Sequence, residues 1–233
     1  MEDNHTKEAH KGILYGVSVG PGDPELLTCK AIRLIQECEV IAVPRTRGEN
    51  RLAYSIASNV ADLEQKKILD LDFPMTREES ELKKCHRALA DVLEQYLRTG
   101  LDIAFLSLGD ITIYSTFGYV AQLVEADGFQ TEYCPGVTSF CASAAALKQP
   151  LVQGREPLTI IPGNIPELPQ LLRQPGTKVI LKSGKNLPRI LAQTEEKQVS
   201  GVENCGLSEQ KLWKTKEEIS ERAGYFTTLL VKE

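Results

Sequence analysis

Residues 13–23 constrain the fold more than any other stretch. Ile13 to Val19 form a short apolar run that stops at Gly20-Pro21-Gly22-Asp23. A run of that length bounded by turn residues reads as a buried strand followed by a tight loop. Asp23 is suited to N-cap a helix, and Pro24 to open it, because the N–H that proline lacks is unsatisfied at a helix start anyway. Leu27, Ala31, Leu34, Ile35 and Cys38 then recur at helical spacing. The alternation continues with a strand at residues 40–43. A long amphipathic helix follows, marked by Leu82, Cys85, Leu89, Val92, Leu93 and Tyr96 and closed by Gly100, and then a buried strand at residues 103–108. Strand and helix in this order predict a mostly parallel α/β sheet.

A second unit is expected from Tyr133-Cys134-Pro135-Gly136 onward. It holds an Ala-rich helix over 140–147 and strands near 158–162, 178–181, 199–204 and 226–231. Its turns are closer together and its β-branched residues denser, which predicts a mixed α+β domain. The expected domains are 12–133 and 134–233, after a polar, disordered tail over 1–11. The 233 residues, 42% hydrophobic, suffice for two such cores. No apolar stretch reaches the roughly eighteen residues of a membrane span, and the polar N-terminus lacks the apolar region of a secretory signal. Cys29, Cys38, Cys85, Cys134, Cys141 and Cys205 form no CxxC pair and fall mostly on apolar faces. They read as reduced core residues of a cytoplasmic protein, with no metal site. The net charge of −5, without a basic block, argues against a nucleic-acid partner.

Two loops stand where an open α/β sheet binds ligands, at the C-terminal ends of strands. Gly20-Pro21-Gly22-Asp23 lets the backbone approach a ligand, yet it lacks both the GxGxxG of a dinucleotide site and the GK[ST] of a P-loop. Taken alone it is a ligand loop or a structural turn. Leu108-Gly109-Asp110 ends the third strand read from the sequence. There Asp110 either accepts hydrogen bonds from a ligand's ammonium or hydroxyl groups or caps a helix over 115–126, which Ser115 or Thr116 could cap instead. Thr138 and Ser139 either cap the Ala-rich helix or form a ligand's polar rim. Arg45, Arg47 and Arg51 are either a solvated loop or guanidinium forks for substrate carboxylates. His5, His10 and His86 are not placed like a triad base.

Together the segments GVSVGPGDPELLTCKA, SLGDITIYST, YCPGVTSF and ALKQPL stand in the order and spacing of the tetrapyrrole (class III) methylases, and the chain resembles that family over residues 12–231. Within the family, VPRT, LDFPM and GDITIYSTFGYV most resemble the branch that methylates C20 of precorrin-2 or cobalt-factor II in cobalamin biosynthesis. The resemblance implies the two-domain tetrapyrrole methylase fold, an N-terminal mostly parallel α/β domain and a C-terminal mixed α+β domain with the active-site cleft between them. It further implies S-adenosylmethionine as methyl donor, a tetrapyrrole substrate and a homodimer. By motif, Pro21 lies beside the cofactor, Leu108, Gly109, Asp110 and Ile113 cradle its methionine part, and Thr138 and Ser139 contact it from the second domain. Lys182 and Gly206 match later cofactor contacts. For a proton acceptor the candidates are Asp110, Tyr114 and Tyr225; for substrate carboxylates, Arg45, Arg47, Arg51 and Arg77. The family's usual Gly-Asp-Pro is Gly-Asp-Ile here, at Ile111, and Ala223-Gly224-Tyr225-Phe226-Thr227 only approximates its Pro-Tyr-Phe-Ser strand. The alternatives are another tetrapyrrole carbon or a diphthine-type substrate on the same fold, and a non-catalytic nucleotide-binding protein.

Overall fold

The computed structural model describes residues 10–46, 51–74, 76, 78–194, 197–220 and 223–233. The chain divides into two units. The first runs to Gly20 and resumes over Pro24–Val137; the second comprises Pro21–Asp23 and Thr138–Glu233. The main stretch of the second unit thus begins four residues beyond the boundary expected from the sequence, and Gly136 N is still bonded to Asp110 of the first unit.

In the first unit five parallel strands, β1 (Ile13–Ser18), β2 (Val40–Thr46), β3 (Lys67–Phe73), β4 (Ile103–Ser107) and β5 (Gln130–Cys134), stand in the order β3-β2-β4-β1-β5. Helices α1 (Cys29–Glu37) and α2 (Leu52–Ala57) cover one face of the sheet, with Ala31, Leu34, Ile35 and Ile56 packed on Val17, Ile41, Val43 and Leu106. Helices α3 (Glu79–Leu97) and α4 (Phe117–Ala126) cover the other, with Ala90, Leu93, Leu97, Phe117 and Val120 on Leu14, Leu71, Ile103 and Phe105. The chain moves across the sheet one way through α1 and α2 and back through α3 and α4. Right-handed crossovers place those two pairs on opposite faces.

Local chemistry sets the helix boundaries. Asp23 does not cap α1: Pro24–Leu26 makes a separate 3-10 turn, the chain straightens at Thr28 (ψ 150°), and the Thr28 hydroxyl accepts from Ala31 N at 3.1 Å. The buried stripe of α3 is Ala90, Leu93, Glu94 and Leu97, rotated from the expected one, so that Val92 is exposed. A glutamate can lie in that stripe because Arg87 and Arg98 reach it at 2.5 and 2.6 Å, and Arg87 also holds Asp127 beyond α4 at 2.7 Å. Of the cysteines, Cys38, Cys134 and Cys205 are buried and Cys85 is half-buried. Cys29 and Cys141 are exposed, contrary to the core reading, since each sits in the first turn of its helix.

The second unit is a mixed sheet in the order β6-β7-β10-β8-β9, built from β6 (Leu158–Pro162), β7 (Thr177–Leu181), β8 (Gln198–Glu203), β9 (Lys211–Trp213) and β10 (Thr227–Lys232). Only β6 and β7 pair in parallel; the other neighbours are antiparallel. Its core joins Ile161, Ile180, Val199, Leu229 and Val231 to residues of α6 (Leu168–Leu172) and α7 (Leu187–Ala192). The Ala-rich helix α5 spans Ser139–Ala146, and Thr138 caps it by accepting from Cys141 N at 3.4 Å.

One packing arrangement fixes where α4 starts. Phe117 is fully buried between Phe105 and Tyr133, with ring centroids 5.3 and 4.9 Å away. Gly16 in β1 gives it room, since a Cβ there would lie 2.5 Å from the Phe117 ring. Phe117→Ala is expected to cost about 3–5 kcal/mol of unfolding free energy, read from the midpoint of urea denaturation.

Candidate functional site

Strands β4, β1 and β5 end side by side. From β1 the chain leads toward β2 and β3; from β4 it leads the other way, to β5. The loops after β1 and β4 therefore part at a topological switch point, the place where open α/β sheets take ligands. Two glycines join the loops at their base. Gly109 N–H donates to Gly20 O at 2.7 Å, and Gly20 N–H donates to Gly109 O at 3.2 Å. Their φ angles, 72° and 74°, lie in the left-handed region that L side chains resist. This is the physical reason for the glycines that the sequence places at both strand ends.

The loop after β4 is held from three directions. Asp110, only 7% exposed, accepts from Gly136 N at 2.7 Å through Oδ2, and through Oδ1 from Thr112 N at 2.8 Å and from the Thr112 hydroxyl. Burial by itself raises its carboxyl pKa; the bonds from Gly136 and Thr112 favour the ionised form more, so the pKa stays below the ordinary carboxylate range. Ser18, fully buried at the end of β1, donates to Cys134 O and accepts from Ile111 N, both at 2.8 Å. At the loop's far end the hydroxyls of Ser107 and Ser115 lie 3.1 Å apart, and Ser115 Oγ accepts from Phe117 N at 3.2 Å. Ser115, not Asp110, therefore serves the start of α4, which removes the helix-cap reading of Asp110. Gly136 has to be glycine for space: a Cβ there would lie 2.5 Å from Ser18 Cβ and 3.1 Å from Gly109 O.

The residues singled out from the sequence fall into separate groups. Leu108, Gly109, Asp110, Ile113 and Tyr114 share the loop after β4. Tyr114 has φ 51°, a strained value for an aromatic residue; it is 43% exposed, and burial of its hydroxyl end pushes the phenol pKa up. In the second unit, Pro21 belongs to the segment that packs against the turn after β8, where a Cβ on Gly206 would meet Asp23 N at 2.5 Å. Thr138 and Ser139 open α5, Lys182 follows β7 in a left-handed conformation (φ 55°), and Tyr225 stacks edge-on against Phe226 at 5.3 Å.

Arg45 and Arg51 are neither free forks nor merely solvated. Arg45 pairs with Asp72 at 3.2 Å and Asp70 at 3.6 Å, and Arg51 pairs with the same Asp70. Both acids lie on β3, a strand the sequence reading did not find. Arg47 and Arg77 lie outside the described residues. Sequence reasoning also passed over Ser18 and Gly136. A serine inside an otherwise apolar strand is the signal that was available, because a buried hydroxyl needs a partner.

An all-parallel sheet with a candidate ligand site at its switch point, followed by a mixed-sheet unit, defines a two-unit α/β protein. The chain belongs to the tetrapyrrole (corrin/porphyrin) methylases, whose family pattern matches residues 13–219. It is 39% identical to a probable cobalt-precorrin-2 C(20)-methyltransferase of Methanocaldococcus jannaschii, over 75% of this chain and 73% of that protein. It is also 32% identical to the cobalt-precorrin-2 C(20)-methyltransferase of Salmonella typhimurium, over 95% and 97%. Among solved structures, a cobalt precorrin-4 methyltransferase superposes with a TM-score of 0.76 at 19% identity, covering 94% of each chain, which shows the shared fold.

The state of Asp110 predicts a pH response. With its folded pKa below the unfolded value of about 3.9, the ionised carboxylate adds stability that is fully present above that value and is lost as pH falls through the folded one. Wild-type protein is expected to lose stability more steeply than Asp110→Asn on acidification below about pH 4, checked by urea unfolding across a pH series.

Proposed function

We propose that the chain is an S-adenosylmethionine-dependent methyltransferase that methylates C20 of precorrin-2 or its cobalt-loaded form in cobalamin biosynthesis. The observation that carries the reading is the cradle at the ends of β1 and β4, in a chain whose relatives of that name match it at 31–39% identity over most of its length. Gly20 and Gly109 leave the backbone bare enough for a ligand to approach closely, and the ionised, buried Asp110 fixes the loop beside them, which supports a small polar ligand there. A uroporphyrin-III C-methyl transferase of Thermus thermophilus with a TM-score of 0.68 to this chain was crystallised with S-adenosylhomocysteine. In this reading Leu108, Gly109, Asp110 and Ile113 hold the methionine part, and Pro21, Thr138, Ser139, Lys182 and Gly206 are the second unit's candidates for cofactor contact. A cytoplasmic homodimer is part of the same proposal, on the strength of the family resemblance.

S-adenosylmethionine, when bound, supplies a methyl group already activated on a sulfonium. The chain's own task is then orientation and exclusion of water, not activation of a nucleophile. The side chains agree with that division of labour. Asp110 is a weak base, lowered in pKa and committed to three hydrogen bonds. Tyr114 keeps its phenol proton at neutral pH, as an ordinary tyrosine does, and burial pushes its pKa further up. Asp110 therefore acts by fixing the loop, and Tyr114 is a neutral phenol rather than a proton acceptor. Arg45 and Arg51 bind substrate carboxylates by exchanging Asp70 and Asp72 for them.

The test is incubation of S-adenosylmethionine with metal-free and with cobalt-loaded precorrin-2, reading the product mass and the position of the new methyl group. A methyl on C20 supports the proposal, and no methylation, or methylation elsewhere, removes it. Asp110→Ala is expected to abolish binding of S-adenosylhomocysteine in calorimetry; unchanged affinity would take Asp110 out of the site. Arg45→Ala is expected to raise KM for the tetrapyrrole about tenfold, the size of one charged hydrogen bond, with the affinity for S-adenosylhomocysteine unchanged.

A further inference from the structure

We infer that Ser18 is a positioning residue for the cofactor cradle, its hydroxyl holding the Leu108–Ile113 loop in the geometry that binds the methyl donor. The inference rests on the methyltransferase reading above and adds a residue that makes no contact with the ligand itself. Ser18 is fully buried and closes β1 in the middle of the three strand ends. A hydroxyl has one proton to give and two lone pairs. Here the proton goes to Cys134 O on β5 and a lone pair takes the N–H of Ile111, each at 2.8 Å. One oxygen thus joins segments 116 and 93 residues away in sequence.

The Ile111 N–H is the informative partner. Asp110 O accepts from Ile113 N at 3.1 Å, so Asp110 to Ile113 form a β-turn with Ile111 in its second position. Proline is favoured at that position and has no N–H to satisfy. With isoleucine there the N–H is present and buried, and Ser18 supplies its acceptor. Without the Ser18 oxygen the donor is orphaned inside the protein, and the turn has to shift to find another acceptor. Leu108, Gly109 and Asp110 lie one to three residues before Ile111 and Ile113 two residues after it, so any such shift moves the cradle. There is little room to compensate with a larger side chain, because Ser18 Cβ lies 2.5 Å from where a Cβ on Gly136 would be.

The hydroxyl and the missing proline are therefore coupled, and a double-mutant cycle reads the coupling. Ser18→Ala is expected to weaken S-adenosylhomocysteine about tenfold in calorimetry, the effect of one orphaned buried donor, and to raise KM for S-adenosylmethionine with kcat retained. Adding Ile111→Pro to Ser18→Ala removes the orphaned donor and fits the turn, so the affinity returns to within about threefold of wild type. Ser18→Cys replaces the oxygen by a somewhat larger sulfur, a weaker donor and acceptor on the same Cβ; it falls between, and it carries the test should the alanine variant not fold. The thermal midpoint of the ligand-free protein is measured alongside. A lower midpoint with unchanged affinity in both Ser18→Ala and Ser18→Cys assigns Ser18 to stability alone and overturns the inference. So does a double variant no better than Ser18→Ala. A wild-type chain that fails to bind S-adenosylhomocysteine removes the methyltransferase reading and this inference with it. Wild-type binding with an unaltered affinity in the Ser18 variants removes only the inference.

Discussion

Where parallel strands end side by side, their last backbone groups lose the ladder partners that the rest of the sheet supplies, and buried groups left unpaired are costly. The ligand edge of the first unit is organised around that constraint. Gly20 and Gly109 satisfy each other, the Asp110 carboxylate takes the N–H of Gly136, and the Ser18 hydroxyl serves Cys134 and Ile111 at once. The solution costs side-chain volume: positions 20 and 109 need glycine for their backbone angles, and position 136 needs it for space. What remains is an edge of rigid, largely bare backbone, which is the kind of surface a small polar ligand can approach closely.

Charge is handled differently in the interior and at the rim. Glu94 lies in the buried stripe of α3, compensated by two arginines, one of which continues to Asp127 beyond the next helix. Removing one partner from such a cluster is more harmful than the cluster is helpful, because it strands a buried charge. At the ends of β2 and β3, by contrast, Arg45, Arg51, Asp70 and Asp72 form a balanced, mostly exposed group. Exposed pairs of this sort contribute little to stability. They can therefore be exchanged for an incoming carboxylate at small cost, provided the ligand brings several.

The central strands β1, β2 and β4 were legible in the sequence because they are largely buried on both faces and read as mainly apolar runs. Helix α5 was legible from its threonine cap. The two edge strands were not. In β3, Asp70 and Asp72 alternate with Leu71 and Phe73, and β5 buries only Cys134, so neither shows the run that marks a central strand. Missing β3 also hid the partners of Arg45 and Arg51. The strand-end loops and Asp110 stood out by motif and position. The network that fixes them did not, because Asp110 finds Gly136 across 26 residues and Ser18 finds Ile111 across 93. Pairings at that distance are set by strand order, which no local pattern carries.

Loops that meet ligands are commonly drawn from the least stable parts of a protein and open on their own. The loop after β4 has the opposite construction: its Ile111 N–H and the facing Gly136 N–H both end on buried acceptors rooted in, or tied to, the sheet. Their exchange with solvent deuterium is accordingly expected to follow opening of the sheet rather than fraying of the loop. The loop is built as part of the core, and in the reading proposed above the cradle holds its binding conformation before any ligand arrives.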